Sequence, residues 1–268
     1  MTTTNQKGTA LITGASSGIG AIYADRLARA GYDLILVARR ADRLDELARR
    51  LTDASGRSVE TLAADLTQPK DLARVETVLR SDQSITLLVN NAGIAAVTPL
   101  LQSNVDEMER MIALNVTAPT RLAYAVAPAF AARGSGTIIN IASIVALNPK
   151  LLNGVYAGSK AFVLAFSQSL ENELAPKGIR IQAVLPGATA TDLWDKAGQP
   201  VSNLPKEIVM STEDMVDAAL AGLAQGELVT IPSLPDSADW DAFETARNVL
   251  APNLSRAEPA TRYRTAQA

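Results

Sequence analysis

Two of the side chains most used in enzyme chemistry are missing: the 268 residues include no cysteine and no histidine. Without cysteine there are no disulfides and no thiol nucleophile. Without either residue the ordinary zinc sites are excluded, and the missing histidine rules out a Ser-His-Asp hydrolase triad. Proton transfer in this chain therefore falls to tyrosine, lysine, aspartate or glutamate. A basic excess is missing as well. Lys plus Arg number 25 against 28 Asp plus Glu, which disfavours a surface built to grip nucleic-acid phosphates. Long apolar runs are also absent. The most apolar stretch, Ala123 to Ala132, holds Pro128 and is far too short to span a bilayer. The start, Met1 to Lys7, is polar and lacks the apolar segment of a signal peptide. The expectation is a soluble cytoplasmic protein with neither nucleic-acid nor membrane partners.

What is present is a 47% hydrophobic chain, ample for a buried core. Ala10 to Ile12 reads as a short buried strand, followed by a Gly-rich turn and a helix from about Gly18 to Ala30. Leu34 to Val37 reads as a second strand, and Leu44, Leu47, Ala48 and Leu51 then recur at helical spacing. A strand near Val59 to Ala63 precedes a helix opened by Pro69. Ile85 to Val89, Thr137 to Ile141, Ile179 to Leu185 and Leu228 to Ile231 complete seven strand candidates. Strand–helix alternation of this kind implies an α/β fold, a parallel sheet with helices on both faces. Gly187 to Ser211 is long for a connection, which suggests a lid or binding loop.

Thr13-Gly14-Ala15-Ser16-Ser17-Gly18-Ile19-Gly20 lies between the first strand and the first helix. Gly14 permits the tight turn, Gly18 lets backbone approach a pyrophosphate, and Gly20 allows close helix–sheet packing. The helix start then offers unpaired N–H groups to the anion. Position after the first strand makes this a dinucleotide site on a Rossmann-type, doubly wound sheet. The second strand ends in Val37-Ala38-Arg39-Arg40 with no acid at its tip. An acid there would serve the ribose hydroxyls of NAD; an arginine pair suits the 2′-phosphate of NADP(H) instead.

Tyr156 and Lys160 stand four residues apart and share one face of a helix that is apolar on most sides. In a chain without histidine, that pair is the candidate acid–base machinery.

With these motifs in place the chain resembles the short-chain dehydrogenase/reductase family over roughly residues 8 to 231. The resemblance rests on the turn at Thr13 to Gly20, Asp65 after the third strand, and Asn90-Asn91-Ala92-Gly93 after the fourth. It continues through Asn115, Ser143 thirteen residues before Tyr156, the Tyr156-X-X-X-Lys160 interval, and Pro186-Gly187 followed by Thr191. The resemblance implies that Tyr156 is the acid/base and that Ser143 orients the substrate oxygen. Lys160 would bind the nicotinamide ribose and lower the tyrosine pKa, and Asn115 would hold a water linking Lys160 to solvent. Asp65 would contact the adenine amine, Asn91 and the 90–93 backbone the adenosine side, and Thr191 the nicotinamide or pyrophosphate. The implied cofactor contacts comprise Gly14, Ser16, Ser17, Gly18, Ile19, Gly20, Arg39, Arg40, Asp65, Leu66, Asn91, Ala92, Gly93, Tyr156, Lys160, Pro186, Gly187, Thr189 and Thr191. Moving a tyrosine from ~10 to ~7 needs about 4 kcal/mol. One ammonium at about 4 Å contributes roughly that at an effective dielectric near 20, less its own desolvation.

The expected organisation is a single Rossmann-type NADP-binding catalytic domain over residues 1–268, with a substrate loop at 187–211 and a C-terminal tail at 232–268. The expected reaction is hydride transfer between the nicotinamide and a carbonyl or secondary alcohol. Ala95, Ala96, Leu147, Leu151, Leu152, Val155, Leu193 and Trp194 are the expected substrate-facing side chains, and their apolar character suits a hydrophobic ketone or aldehyde. A non-catalytic NADP-binding regulator on the same fold is the alternative. The apolar faces of the helix carrying Tyr156 and of Leu122 to Ala132 suggest a homodimer, with a homotetramer as the other family arrangement. Trp240, Phe243 and Leu250 of the tail are available to cover the last strand, which would favour the dimer.

Overall fold

A computed structural model describes residues 7–264. Seven strands alternate with helices: β1 (Thr9–Thr13), α1 (Gly18–Arg29), β2 (Asp33–Ala38), α2 (Ala41–Ser55), β3 (Val59–Ala63), α3 (Pro69–Ser81) and β4 (Ile85–Asn90) form the first half. The second half comprises α4 (Val105–Ile112), α5 (Ala118–Arg133), β5 (Gly136–Ile141), α6 (Gly154–Leu174), β6 (Ile179–Val184), α7 (Leu193–Lys196), α8 (Thr212–Gln225) and β7 (Val229–Thr230). The strands make one sheet in the order β3-β2-β1-β4-β5-β6-β7, every pairing parallel. The fold is thus the expected Rossmann-type sheet. Its order reverses between β1 and β4, and a crevice for a ligand belongs at the C-terminal ends of those strands.

Alternation along β1 builds two core layers. Leu11 joins Ile35, Leu88, Val126, Phe130 and Ile138 on the face covered by α3, α5 and α6. Ala10 and Ile12 turn the other way and join Tyr23, Leu27, Leu36, Leu44, Leu51 and Met215 beneath α1, α2 and α8. The helical periodicity of α2 predicts its buried stripe residue for residue: Leu44, Leu47, Ala48 and Leu51. Each of those leucines contributes about 1.5–3 kcal/mol by leaving water. β7 is shorter than the sequence suggests, two residues at the sheet edge ahead of Pro232, which has no N–H to extend a ladder.

The chain forms two units, one ending at Pro232 and one beginning at Ser233. Within the second, α9 (Ser237–Asn248) is capped by Asp236, whose carboxylate accepts the Ala238 N–H at 2.9 Å. The rings of Trp240 and Phe243 meet there at 5.4 Å. No helix among the described residues is long and apolar enough to cross a membrane.

Candidate active site

Thr13 ends β1 and its hydroxyl ties two strands together. It donates to the Val89 carbonyl at 3.2 Å and accepts the N–H groups of Asn91 and Ala92, each at 3.0 Å. Gly14 follows with φ +66°, and a Cβ there would stand 2.8 Å from the Ala92 Cα. A Cβ on Gly20 would stand 2.5 Å from the Gly14 carbonyl oxygen. Only glycine fits these approaches. The side-chain amide of Asn91 is wedged between them, donating to the carbonyls of Thr13 and Gly14 at 2.9 and 3.2 Å. Both amide hydrogens of Asn91, the residue expected on the adenosine side, are engaged in holding the turn.

The start of α1 is left open. Ser17 is its N-cap, yet the hydroxyl makes no capping bond and the first turn contains no acid. By contrast, α4 and α8 are capped by Asn104 and Ser211 and carry acids in their first turns. The leading N–H groups of α1, around Ser16 to Gly20, therefore suit an external anion such as a pyrophosphate. Thr191 reaches over this turn, and a Cβ on Gly18 would stand 3.2 Å from its methyl group.

At the tip of β2, Arg39 is exposed and Arg40 is not its equal partner: Arg40 donates to Asp42 at 3.0 Å on the open surface of α2. A third arginine was not anticipated. Arg43 stands 3.8 Å from Asp192, so the first turn of α2 faces the loop after β6; its position four residues after Arg39 was the available signal. Asp65 forms its own turn, accepting the Thr67 N–H at 3.0 Å and the Thr67 hydroxyl at 2.7 Å. Burial raises its pKa, but those bonds and the charges of Arg39 and Arg110 leave it lowered overall. Leu66, expected at the cofactor, is buried in the core layer under α3 and α5, where an apolar side chain gains most.

Tyr156 and Lys160 lie in the first turns of α6, both buried. Asn153 places that helix start. Its carboxamide oxygen accepts the N–H groups of Val155 and Tyr156 at 2.8 and 3.4 Å, and its nitrogen donates to the Thr98 carbonyl at 2.6 Å. This residue was overlooked, though an asparagine just before a helical stretch is a capping signal. Lys160 Nζ donates to the Ile141 carbonyl at 2.8 Å, at the end of β5. Two residues further along, Ser143 sits in extended backbone. Its hydroxyl stands beside the Tyr156 phenol and donates to the Pro186 carbonyl at 3.4 Å. Asn115 is buried in a π-helical turn, Ala113–Thr117, that separates α4 from α5. Its nitrogen donates to the carbonyl of Ile94 at 2.9 Å and the hydroxyl of Ser159 at 3.1 Å, and its oxygen accepts the Ile94 N–H at 3.0 Å.

The expected electrostatics of the pair differ from those found. Burial pushes the Tyr156 phenol up to about 12, with the Ser143 bond pulling against it, and burial pushes the Lys160 ammonium down to about 8. Lys160 Nζ lies 5.8 Å from the centre of the tyrosine ring. With both groups out of water, desolvation exceeds their mutual effect.

The loop after β6 is ordered rather than irregular. A parallel bridge pairs Thr189 with Met210, the Thr189 hydroxyl lies 3.3 Å from the Gly187 carbonyl, and Thr212 bonds Ala190 at 2.8 Å. α7 and two short helical turns fill the span between. Trp194 donates to the Thr189 carbonyl at 3.0 Å, so its indole helps hold the loop together. Of the expected substrate-facing residues, Ala95, Ala96, Leu152 and Val155 pack around Tyr156. Met108, Met111 and Val145 complete that apolar cluster and were not anticipated. Leu151 is exposed, and Leu147 and Leu193 are half-buried.

A family model described as short chain dehydrogenase matches residues 8–201. A solved short-chain dehydrogenase from Sphingobium yanoikuyae, in complex with NADPH, is 53% identical with a TM-score of 0.93; the match covers 96% of this chain and all of that one. A bulky-bulky ketone specific alcohol dehydrogenase from Comamonas testosteroni is 48% identical with a TM-score of 0.88, covering 96% of this chain and 98% of its own. An uncharacterized oxidoreductase of Staphylococcus saprophyticus is 34% identical over 83% of this chain and 93% of its own length.

Proposed function

The chain belongs to the short-chain dehydrogenase family of oxidoreductases, and on that premise we propose that it is an NADP(H)-dependent carbonyl reductase or alcohol dehydrogenase acting on hydrophobic ketones or aldehydes. The observation that carries the reading is the buried pair Tyr156 and Lys160, one helical turn apart, with the Ser143 hydroxyl beside the phenol. Bound NADP(H) would supply or accept the hydride. The uncapped start of α1 and the glycine approaches at Gly14 and Gly20 fit its pyrophosphate, and exposed Arg39 on a strand tip without an acid fits its 2′-phosphate. The NADPH bound to the Sphingobium protein supports that choice.

In this reading Ser143 and Tyr156 hold the substrate oxygen between two hydroxyls, and Tyr156 passes a proton to or from it. Burial keeps the phenol protonated, the form that carbonyl reduction needs, although a pKa near 12 makes it a weaker acid than a free tyrosine, which charges near the bound phenol must offset. In the alcohol-oxidising direction the phenolate must be reached, and the nicotinamide's positive charge then adds to that of Lys160. The cluster of Ala95, Ala96, Met108, Met111, Leu152 and Val155 keeps water from this side of Tyr156. Its apolar walls suit a substrate with large apolar groups, and the Comamonas enzyme, described as specific for bulky-bulky ketones, supports large substituents. A cytoplasmic location belongs to the same proposal, supported by the proposed cofactor, a soluble cytoplasmic metabolite. All the residues assigned here lie in the unit that ends at Pro232, which we take as the catalytic domain.

The test is direct: purified protein, NADPH and a panel of ketones graded by substituent size, with oxidation followed at the nicotinamide absorbance band. Turnover is expected to be greatest with ketones bearing two large substituents. Binding of NADPH without turnover of any carbonyl overturns the enzymatic reading.

A further inference from the structure

Ser159, the residue before Lys160, is buried and its hydroxyl makes two bonds. It donates to the Tyr156 carbonyl at 2.7 Å and accepts from Asn115 Nδ2 at 3.1 Å. A hydroxyl has one proton. With that proton on Tyr156, Ser159 faces Asn115 only as an acceptor, and so adds to the Ile94 backbone in setting which end of the Asn115 amide points at α6. The second Nδ2 hydrogen reaches the Ile94 carbonyl, and the Ile94 N–H donates to Oδ1. A flipped amide would set its oxygen against the lone pairs of Ser159 and the Ile94 carbonyl, and its NH2 against the Ile94 N–H, so every one of these bonds would be lost.

The consequence is felt at Lys160. The point where a Cβ on Gly93 would stand is 3.2 Å from Asn115 Oδ1 and 3.6 Å from Lys160 Nζ. Because Gly93 has no side chain, the amide oxygen and the ammonium face one notch. Lys160 uses one N–H on the Ile141 carbonyl, which leaves two. No carboxylate pairs with Lys160 among the described residues. The groups around it are the phenol of Tyr156 from α6, the Ile141 carbonyl from β5, and Asn115 from the π-helical turn, with Ser143 reaching Tyr156 from the turn after β5. In so dry a site the partial charge that Asn115 presents has weight.

We propose that Ser159 is a positioning residue: together with the Ile94 backbone, its hydroxyl anchors the Asn115 amide so that oxygen, not nitrogen, faces the notch shared with Lys160. This rests on the reading of Tyr156 and Lys160 as the acid–base pair. An amide turned the other way would bring partly positive hydrogens towards the ammonium and disfavour its charged form.

The test compares full-length wild type with Ser159→Ala and Ser159→Thr. The first readout needs no turnover: NMR titration of Lys160 in protein labelled at the lysine side chains, the resonance assigned with Lys160→Met. Loss of the α6-side anchor of the Asn115 amide in Ser159→Ala, with the Ile94 bonds left, is expected to loosen its oxygen from the notch and lower the Lys160 midpoint by at least about half a pH unit, and Ser159→Thr, which keeps the hydroxyl, restores it. The second readout is the pH profile of kcat for alcohol oxidation, whose midpoint should move upward in the alanine variant while KM and NADPH affinity change little. A purely structural role for Ser159 would lower the melting temperature and leave both profiles in place, and that result overturns the proposal. So does a threonine variant that titrates like the alanine one. Should Ser159→Ala fail to fold, Ser159→Cys, similar in size and a weak acceptor, carries the same expectation. A wild type without carbonyl turnover would overturn the functional reading, while the NMR titration would still decide the role of Ser159.

Discussion

The side chain of Asn91 holds the backbone of Gly14, donating to its carbonyl oxygen at 3.2 Å and to that of Thr13 at 2.9 Å. The end of β4 thereby braces the turn proposed to receive the cofactor. In Asn91→Ala the two carbonyls lose a partner, at about 1–3 kcal/mol for each buried group left unpaired. The turn touches the portion common to NADPH and NADH, so affinity for both should fall by the same factor. Fluorescence titration with the two cofactors measures this, and a loss confined to NADPH would place Asn91 at the 2′-phosphate instead.

Arg39 should behave in the opposite way. A charge-assisted hydrogen bond contributes about 1.5–3 kcal/mol, so Arg39→Ala should weaken NADPH binding roughly ten- to a hundredfold and leave NADH nearly unchanged. Arg40 is drawn off by Asp42 on the exposed surface, so Arg40→Ala should shift NADPH affinity by less than about threefold, the scale of an exposed ion pair. Ala38→Asp should reverse the preference by repelling the 2′-phosphate and accepting from the NADH ribose. Equal losses for both cofactors in Arg39→Ala would mean that this arginine does not read the phosphate.

Tyr156→Phe removes the phenolic proton and little else, since the ring remains in the same apolar cluster. Turnover should fall by at least about a hundredfold, the low end for general acid catalysis. Melting temperature and NADPH affinity should stay close to wild type. Near-normal turnover in steady-state assays would remove Tyr156 from the proposed chemistry.

Lys160→Met should separate stability from activity. Burial lowers the Lys160 pKa from 10.5 to about 8. Between those values the unfolded chain holds a proton that the native state has released, so native stability rises with pH across that window and is flat below it. The native protein at pH 7 therefore carries a cost of about 3 kcal/mol for the buried ammonium. The bond to the Ile141 carbonyl returns about 1 kcal/mol of that. Lys160→Met should be more stable than wild type at pH 7 by roughly 1–3 kcal/mol, an advantage that fades towards pH 10, while turnover collapses. Urea denaturation at the two pH values reads the difference; a variant less stable at pH 7 would mean that the lysine is not desolvated as its position indicates.

The distinction between what could and could not be read from the residues is physical. The sheet was legible because most strands are short apolar runs between helical periods, and α2 revealed its buried stripe by spacing alone. Tyr156 and Lys160 were legible as neighbours because helical spacing sets which side chains share a face. Their pKa values were not, because spacing along a helix carries no information about how much water the surrounding elements exclude. The π-helical turn around Asn115 escaped notice because its extra residue leaves no mark on a short apolar pattern. α7 is four residues long, too short for periodicity to declare it. Asn91 and Leu66 stand where the family pattern puts cofactor contacts, and their side chains face the turn and the core. Such orientation depends on partners far away in sequence.

Assembly depends on a surface that the sequence outlined and the structure trims. The apolar residues on the later turns of α6 divide into two groups. Leu170 is buried in the core, and Phe166 packs partly against it while stacking on Phe162 at 5.6 Å. The outward positions are Gly158, Phe162, Ala165 and Ser169, three to four residues apart and so on one face. On α5 the exposed positions include Tyr124, Pro128 and Ala132. Small residues beside one large aromatic allow two helices to approach closely, and Phe162 is 38% exposed, an unfavourable setting for a phenylalanine left facing water. A two-fold axis through this face would bury both copies of the patch against each other in an isologous contact. The expected assembly is therefore a dimer through α5 and α6. Phe162→Glu would place carboxylates of both subunits in one desolvated patch, and burying unpaired charge there costs several kcal/mol. Light scattering should read two subunits for the wild type and one for the variant, with the isolated variant still folded by circular dichroism. A wild-type mass of four subunits that falls to two in the variant would keep the α6 face as an interface and replace the dimer by a tetramer. A mass unchanged by Phe162→Glu would remove this face from the assembly altogether.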